Sequence, residues 1–136
     1  MSAPTRPLEK RPPAAPQIWM NYKELDVWQH AINLALRVYD ATSSLPVDER
    51  YGLISQMRRS AGSIASNIAE GEGRGAPKDH LRFLAQARGS LYELETQVIM
   101  CIRLRYLKND ALLAEIERAG KLINGSIRSI HRRMSE

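Results

Sequence analysis

Apolar side chains recur at alternating steps of three and four residues in four separate stretches of this 136-residue chain. Those steps put residues on one face of an α-helix, whereas a half-buried strand needs alternation by two. A chain that repeats this pattern four times, with breakers between, is expected to pack four helices around one core.

The first stretch starts near Leu25 or Asp26 and runs to about Ser44, with Trp28, Ile32, Ala35, Val38 or Tyr39, and Thr42 on its inner face. Asp26 suits the positive end of a helix, and Pro46 closes the connection that follows. The second opens around Asp48 and Glu49 on the seam Ile54, Met57, Ala61, Ile64, Ile68 and stops in Gly71-Glu72-Gly73-Arg74-Gly75. Three glycines in five residues end a helix firmly. The third begins at Pro77, a favoured first-turn residue, and carries Leu84, Ala87, Leu91, Leu94, Val98 and Cys101 to about Tyr106. At 1.5 Å per residue it should be about 45 Å long. Lys108-Asn109-Asp110 supplies capping residues. The fourth runs from Ala111 to about Arg132 on Leu112, Ile116, Ala119, Ile123, Ile127 (or Ser126) and Ile130. Short connections make neighbours antiparallel, so the expectation is an all-α, up-down-up-down four-helix bundle over residues 21–136. Aromatics are only 6%, which also disfavours a sandwich or barrel.

Residues 1–20 are different. Pro4, Pro7, Pro12, Pro13 and Pro16 exclude a regular helix, so this segment reads as a proline-rich arm. Ile18 and Trp19 are large apolar residues near its end, of the kind that dock on a partner. No apolar run reaches the roughly 20 residues of a membrane span, and the N-terminus has no signal-peptide core. Cys101 is the single cysteine, so no internal disulfide can form, in keeping with a reducing cytoplasm.

The second helix has an unusual composition. From Ser60 to Ala69 it reads SAGSIASNIA, without a charge. At about 100° per residue, Gln56, Ser63, Asn67 and Glu70 lie on a stripe about 110° from the core seam, with Ser55, Gly62 and Ser66 on the far side. An exposed helix face normally carries Lys and Glu. Either this helix is unusually central or a second copy of the chain covers Ser55, Gly62, Ser63, Ser66 and Asn67. Interior glycines Gly62, Gly89 and Gly125 each cost about 1 kcal/mol against alanine, which close backbone approach would explain. Self-association follows as an expectation; the copy number does not.

Chemistry-bearing residues are scattered. His30, His80 and His131 fall on three helices, none in a Glu-x-x-His arrangement, and there is no HExxH or CxxC. Glu70 with Glu72, and Glu93 with Glu95, are two apart and diverge on a helix. Glu95 is expected to pair with an arginine such as Arg58. GEGRG lacks the preceding strand and the Gly-Lys-Ser/Thr of a phosphate loop, although it sets Arg74 and Lys78 beside a helix N-terminus. No catalytic, cofactor or metal site is expected, and the protein reads as a non-enzyme.

Basic residues are concentrated. The net charge is +5, and from Arg118 to Ser135 there are Arg118, Lys121, Arg128, Arg132 and Arg133 with no acidic residue. A helix C-terminus accounts for Arg132 and Arg133 but not for the others. Arg58, Arg59, Arg74, Lys78 and Arg82 form a second group. Multiplied in a ring, such charges would make a belt for phosphates with steep salt dependence. No aromatic platform for stacking bases is evident.

Three runs, LDVWQHAINLALRVYDAT, YGLISQMRRSAGSIASNIAEGEGR and RFLAQARGSLYELETQ, carry a resemblance. They are similar to the bacterial four-helix-bundle proteins encoded in intervening sequences of 23S ribosomal RNA genes, over about residues 22–130. The order Tyr51-Gly52-Leu53, Gln56, Arg58-Arg59, Ser66 to Gly71 and Arg74 is the specific part. The resemblance implies an up-down bundle assembled as a ring, with a pentamer expected. It also implies a fold like the accessory proteins of diversity-generating retroelements, which bind nucleic acid and a reverse transcriptase. Gly75-Ala76-Pro77 departs from the expected hydroxyl or Asn cap before the third helix, and the proline-rich arm lies outside the pattern. The function expected is association with ribosomal or another structured RNA. The alternative is a scaffold for a protein partner, for which Ile18 and Trp19 speak best.

Overall fold

The computed structural model describes residues 21–108 and 111–136. Four long α-helices dominate, with no strand among the described residues. A 3-10 turn, Tyr22–Glu24, leads into α1, Asp26–Thr42. A 3-10 turn at Val47–Glu49 and a π-helical turn at Arg50–Ile54 lead into α2, Ser55–Arg74. Then come α3, Pro77–Arg103, and α4, Ala111–Ser135. α1 packs on α2 and α4, and α3 packs on the same two helices, most extensively on α2. The arm with Ile18 and Trp19, and the caps Asn109 and Asp110, lie outside the described residues.

The expected seams of α3 and α4 are buried, apart from Ser126 and Ile127, which are half-buried. In α2 the seam runs through Met57, Ala61, Ile64 and Ile68, but Leu53 takes the buried place expected of Ile54. The chain kinks at Gly52, whose φ −110° and ψ −113° are not helical, and Leu53, four residues before Met57, lies closer to the seam than Ile54 does. Glu49 holds the π-helical turn by accepting the Leu53 N–H at 3.2 Å and the Tyr106 hydroxyl at 3.2 Å. In α1 the buried face is Val27, Ala31, Leu34, Val38 and Thr42. Trp28, Ile32 and Ala35, expected at its centre, are half-buried at its border. Trp28 is capped there by the Tyr22 ring, edge-on at 5.3 Å.

Breakers act as their chemistry dictates. Gly75 follows α2 at φ 82°, a conformation that costs a side-chain-bearing residue dearly. At Gly71 a Cβ would stand 2.9 Å from Phe83 Cβ, so the missing side chain lets α2 meet the start of α3. α3 stops three residues before the expected Tyr106. Its end is a Schellman closure, in which Tyr106 N–H donates to the Cys101 carbonyl at 2.8 Å and Arg105 N–H to that of Ile102 at 3.0 Å. Arg105 occupies the left-handed position, at φ 65°.

Candidate nucleic-acid interface

Arg118, Lys121, Arg128 and Arg132 follow one another along α4 at steps that share a face, with Gly125 between them, and all four cations are exposed. This stripe is nearly opposite the buried seam of Ile116, Ala119 and Ile123. Glu117 approaches Lys121 at 3.7 Å, a loose and exposed pair that leaves the ammonium available.

The stripe borders a groove between α4 and α1. Its larger part, about 550 Å³, is edged by Lys121 and Arg133 and borders Val27, Ile68, Leu84 and Ile130, which are themselves buried in the core. A second part of about 360 Å³ continues past Lys121 to Arg118, with Gln29, His30 and Asn33 of α1 on the other side. Two His–Glu pairs stand beside it. His30 Nε2 is 3.4 Å from Glu115 Oε2, and His80 Nε2 is 3.4 Å from Glu72 Oε2. Burial lowers the pKa of the His80 imidazole; Glu72 opposes that shift and Arg133 reinforces it. The structure therefore brings Arg133 of α4 up to the start of α3.

The second basic group divides. Arg74 and Arg82 both lie against the Phe83 ring, at 5.0 and 4.9 Å from its centroid, with Lys78 exposed one turn earlier. Arg74 also donates to Glu70 at 2.8 Å, and Arg82 approaches Asp79 at 3.5 Å. An arginine–aromatic cluster thus exists at the α2–α3 turn that the sparse aromatics do not advertise. Arg58 and Arg59 are elsewhere, about 24 Å along α2 from Arg74 at helical rise. Arg58 donates to Thr42 Oγ1 at 2.9 Å and to the Tyr39 carbonyl at 3.2 Å, and its guanidinium lies 4.6 Å from the Tyr39 ring centroid. That ties α2 to α1, and no ion pair joins Arg58 to Glu95. Arg59 is exposed.

Part of the uncharged run of α2 is used within the chain. Ser60 donates to Glu93 at 3.0 Å, Ser63 and Ser90 share a hydrogen bond of 2.8 Å, and the Asn67 amide donates to the Ser63 carbonyl at 2.9 Å. Ser60 and Ser63 therefore serve the α2–α3 contact, and Asn67 bonds back to Ser63 within α2. Ser55 and Gly62 are half-buried and Ser66 is exposed. A Cβ at Gly62 or Gly89 would meet nothing within 4 Å, and one at Gly125 only the end of Arg128. Close approach inside one chain therefore explains none of these three glycines. Beside Gly62 the outer side of α3 presents Ala85, Gly89, Tyr92, Thr96 and Met100, all exposed and uncharged. Tyr92 is 54% and Met100 47% exposed. The four- and three-residue steps could have revealed this stripe, but its small and polar members hide it from a search for apolar seams.

Cys101 is buried with its thiol 3.5 Å from the Met57 sulfur, and burial pushes its pKa up to about 11. Among the described residues no three His, Cys, Asp or Glu side chains gather as a metal site would need. No helix among the described residues is long and apolar enough to cross a membrane.

Residues 23–125 match the family model described as 23S rRNA-intervening sequence protein. A crystal structure of a protein of unknown function from the S23 ribosomal protein family of Bacteroides thetaiotaomicron VPI-5482 superposes with a TM-score of 0.66 at 24% identity. The match covers 74% of this chain and 97% of that one, and at such identity it speaks for the fold alone. No curated protein matches the chain.

Proposed function

The chain belongs to the 23S rRNA-intervening sequence protein family, and from that premise we propose that it is a non-enzymatic, RNA-associated, oligomeric protein of the cytoplasm. In this reading the helices run up-down-up-down as a bundle. Copies join through the uncharged outer sides of α2 and α3 into a ring, with five copies the number the family resemblance implies. The α4 stripe then faces outward on every subunit and meets the phosphates of ribosomal or another structured RNA.

One observation carries this reading. Arg118, Lys121, Arg128 and Arg132 are lined up, exposed, and among the described residues pair with no carboxylate except the loosely held Glu117. Solvated surface charge normally alternates in sign along a helix; an unbroken cationic line is the electrostatic footprint of a polyanion partner. Arg133 and the α2–α3 turn extend it. The scaffold alternative rests on Ile18 and Trp19, outside the described residues, so the RNA reading has the better support.

Titrating the purified protein with structured RNA at two salt concentrations tests it. Binding should weaken steeply with salt, by a logarithmic slope of about 0.7 to 0.9 per phosphate neutralised. Changing Arg128, Arg132 and Arg133 to glutamate should abolish binding while the circular dichroism of the helices persists. RNA affinity untouched by that triple reversal would refute the α4 surface.

A further inference from the structure

α1 carries more apolar surface than the bundle covers. Val27, Ala31, Leu34 and Val38 face the core and are buried. Beside them Trp28, Ile32, Leu36 and Tyr39 follow at steps of four, four and three, which makes a second apolar line on the same helix. Trp28 and Ile32 are half-buried, while Leu36 is 62% and Tyr39 49% exposed. Tyr22 covers one end of this line through Trp28, and Arg58 lies on the Tyr39 ring at the other. Leu36 stays open between them.

We propose that Ile18 and Trp19 of the same chain dock on this second line, against Ile32 and Leu36. The place where the chain enters the bundle names them as the occupant. Tyr22 closes on Trp28, the first member of the line, with ring centroids 5.3 Å apart. The turn that carries Tyr22 is pinned: the Lys23 carbonyl accepts from the Gln29 side-chain amide at 2.9 Å, and the Asn21 side chain accepts the Lys23 N–H at 3.0 Å. Tyr22 also borders Ser66 and Ala69 of α2, so the chain enters over the α1–α2 boundary. Directly before Asn21 the sequence reads Ile18-Trp19-Met20, three large apolar residues in succession.

Reach and tether agree with this occupant. From Trp28 to Leu36 is about 12 Å of helix. Three extended residues span about 10 Å, and the length of the Ile and Trp side chains covers the remainder. A segment tethered so closely meets the face at an effective concentration on the order of millimolar, which a separate partner rarely matches. Docking takes Leu36 and Trp19 out of water together, and that is the driving force.

The test reads Trp19 by fluorescence in the full-length protein. Its emission is the difference between wild type and Trp19→Phe, since Trp28 is the only other tryptophan. Compared with a synthetic peptide of residues 1–20, Trp19 in the protein should emit at shorter wavelength and be quenched several-fold less by acrylamide. Leu36→Glu should return both readings to those of the peptide and leave the helical circular dichroism unchanged, because this position is exposed. Leu36→Ser decides the matter should the glutamate variant fail to fold. Trp19 emission in the wild type that matches the peptide's overturns the proposal. So does shielding that survives in a folded Leu36 variant, which would seat the segment elsewhere. Shielding lost on dilution together with a fall in solution mass also overturns it, because the docked segment would then come from a second copy. None of these readings involves RNA, so they leave the RNA reading to its own titration.

Discussion

Arg105 stands in the left-handed region at φ 65°, in the place where most helices of this ending carry glycine. A side-chain-bearing residue there costs about 1–2 kcal/mol, part of which glycine would give back as chain entropy in the unfolded state. Arg105→Gly should therefore raise stability by up to about 1 kcal/mol, read from urea unfolding; a loss would mean that the arginine side chain holds the turn. His80 sets a pH dependence of opposite character. Burial lowers its pKa from the ordinary 6.5, against the pull of Glu72 and with the help of Arg133. The unfolded chain then takes up a proton that the native one refuses. Stability is full above about pH 6.5 and is lost as the pH falls through the lower native value. His80→Asn should flatten the stability profile over that interval. A profile that keeps its slope in the variant would assign the loss to other groups.

Among the elements, the seams of α2, α3 and α4 could be read because each buries one continuous heptad-like line, and burial of such lines is what stabilises helices this long. In α1 Val38 and Thr42 are buried as expected, but the first half of the face was misplaced by one residue, because Trp28 and Ile32 are bulky enough to look central while the tighter Val27 and Ala31 lie inside. The π-helical turn and the end of α3 left no sequence signal: one depends on Glu49 reaching Leu53 and Tyr106, the other on an arginine doing a glycine's task. The candidate cations could be read as well, since charge is written residue by residue. The groove beside them could not, because Val27, Ile68, Leu84 and Ile130 come from four different helices. Glycines within one element separate the same way. Gly71→Ala would press a Cβ to 2.9 Å from Phe83 Cβ and should destabilise by about 1–3 kcal/mol. Gly73→Ala, with nothing within 4 Å, should be neutral or stabilise by up to about 1 kcal/mol. Thermal unfolding of the two variants compares them directly, and equal shifts would mean that α2 and α3 do not meet at Gly71.

At the scale of the molecule, an uncharged patch of α2 and α3 around Gly62, Gly89 and Tyr92, bordered by the exposed Arg59 and Glu70, contrasts with the cationic stripe carried by α4. The proposed assembly gives each a task, and the tasks are coupled by geometry. A ring held through Gly62, Gly89 and Tyr92 repeats the α4 stripe at fixed spacing, so an RNA bound to one subunit finds the next at high effective concentration. Gly62→Leu combined with Gly89→Leu should break the ring without straining the single chain, since a Cβ at either position meets nothing within 4 Å. No charge changes, yet RNA affinity should fall by about a hundredfold, within the usual range for lost multivalency. The salt slope should shrink with it, because fewer phosphates are held at once. Solution mass and RNA titration on the same sample would read both effects. A double variant that becomes monomeric and keeps full affinity would mean that each subunit binds alone. One that keeps its mass would move the subunit joint away from α2 and α3, and the uncharged patch would then need another partner.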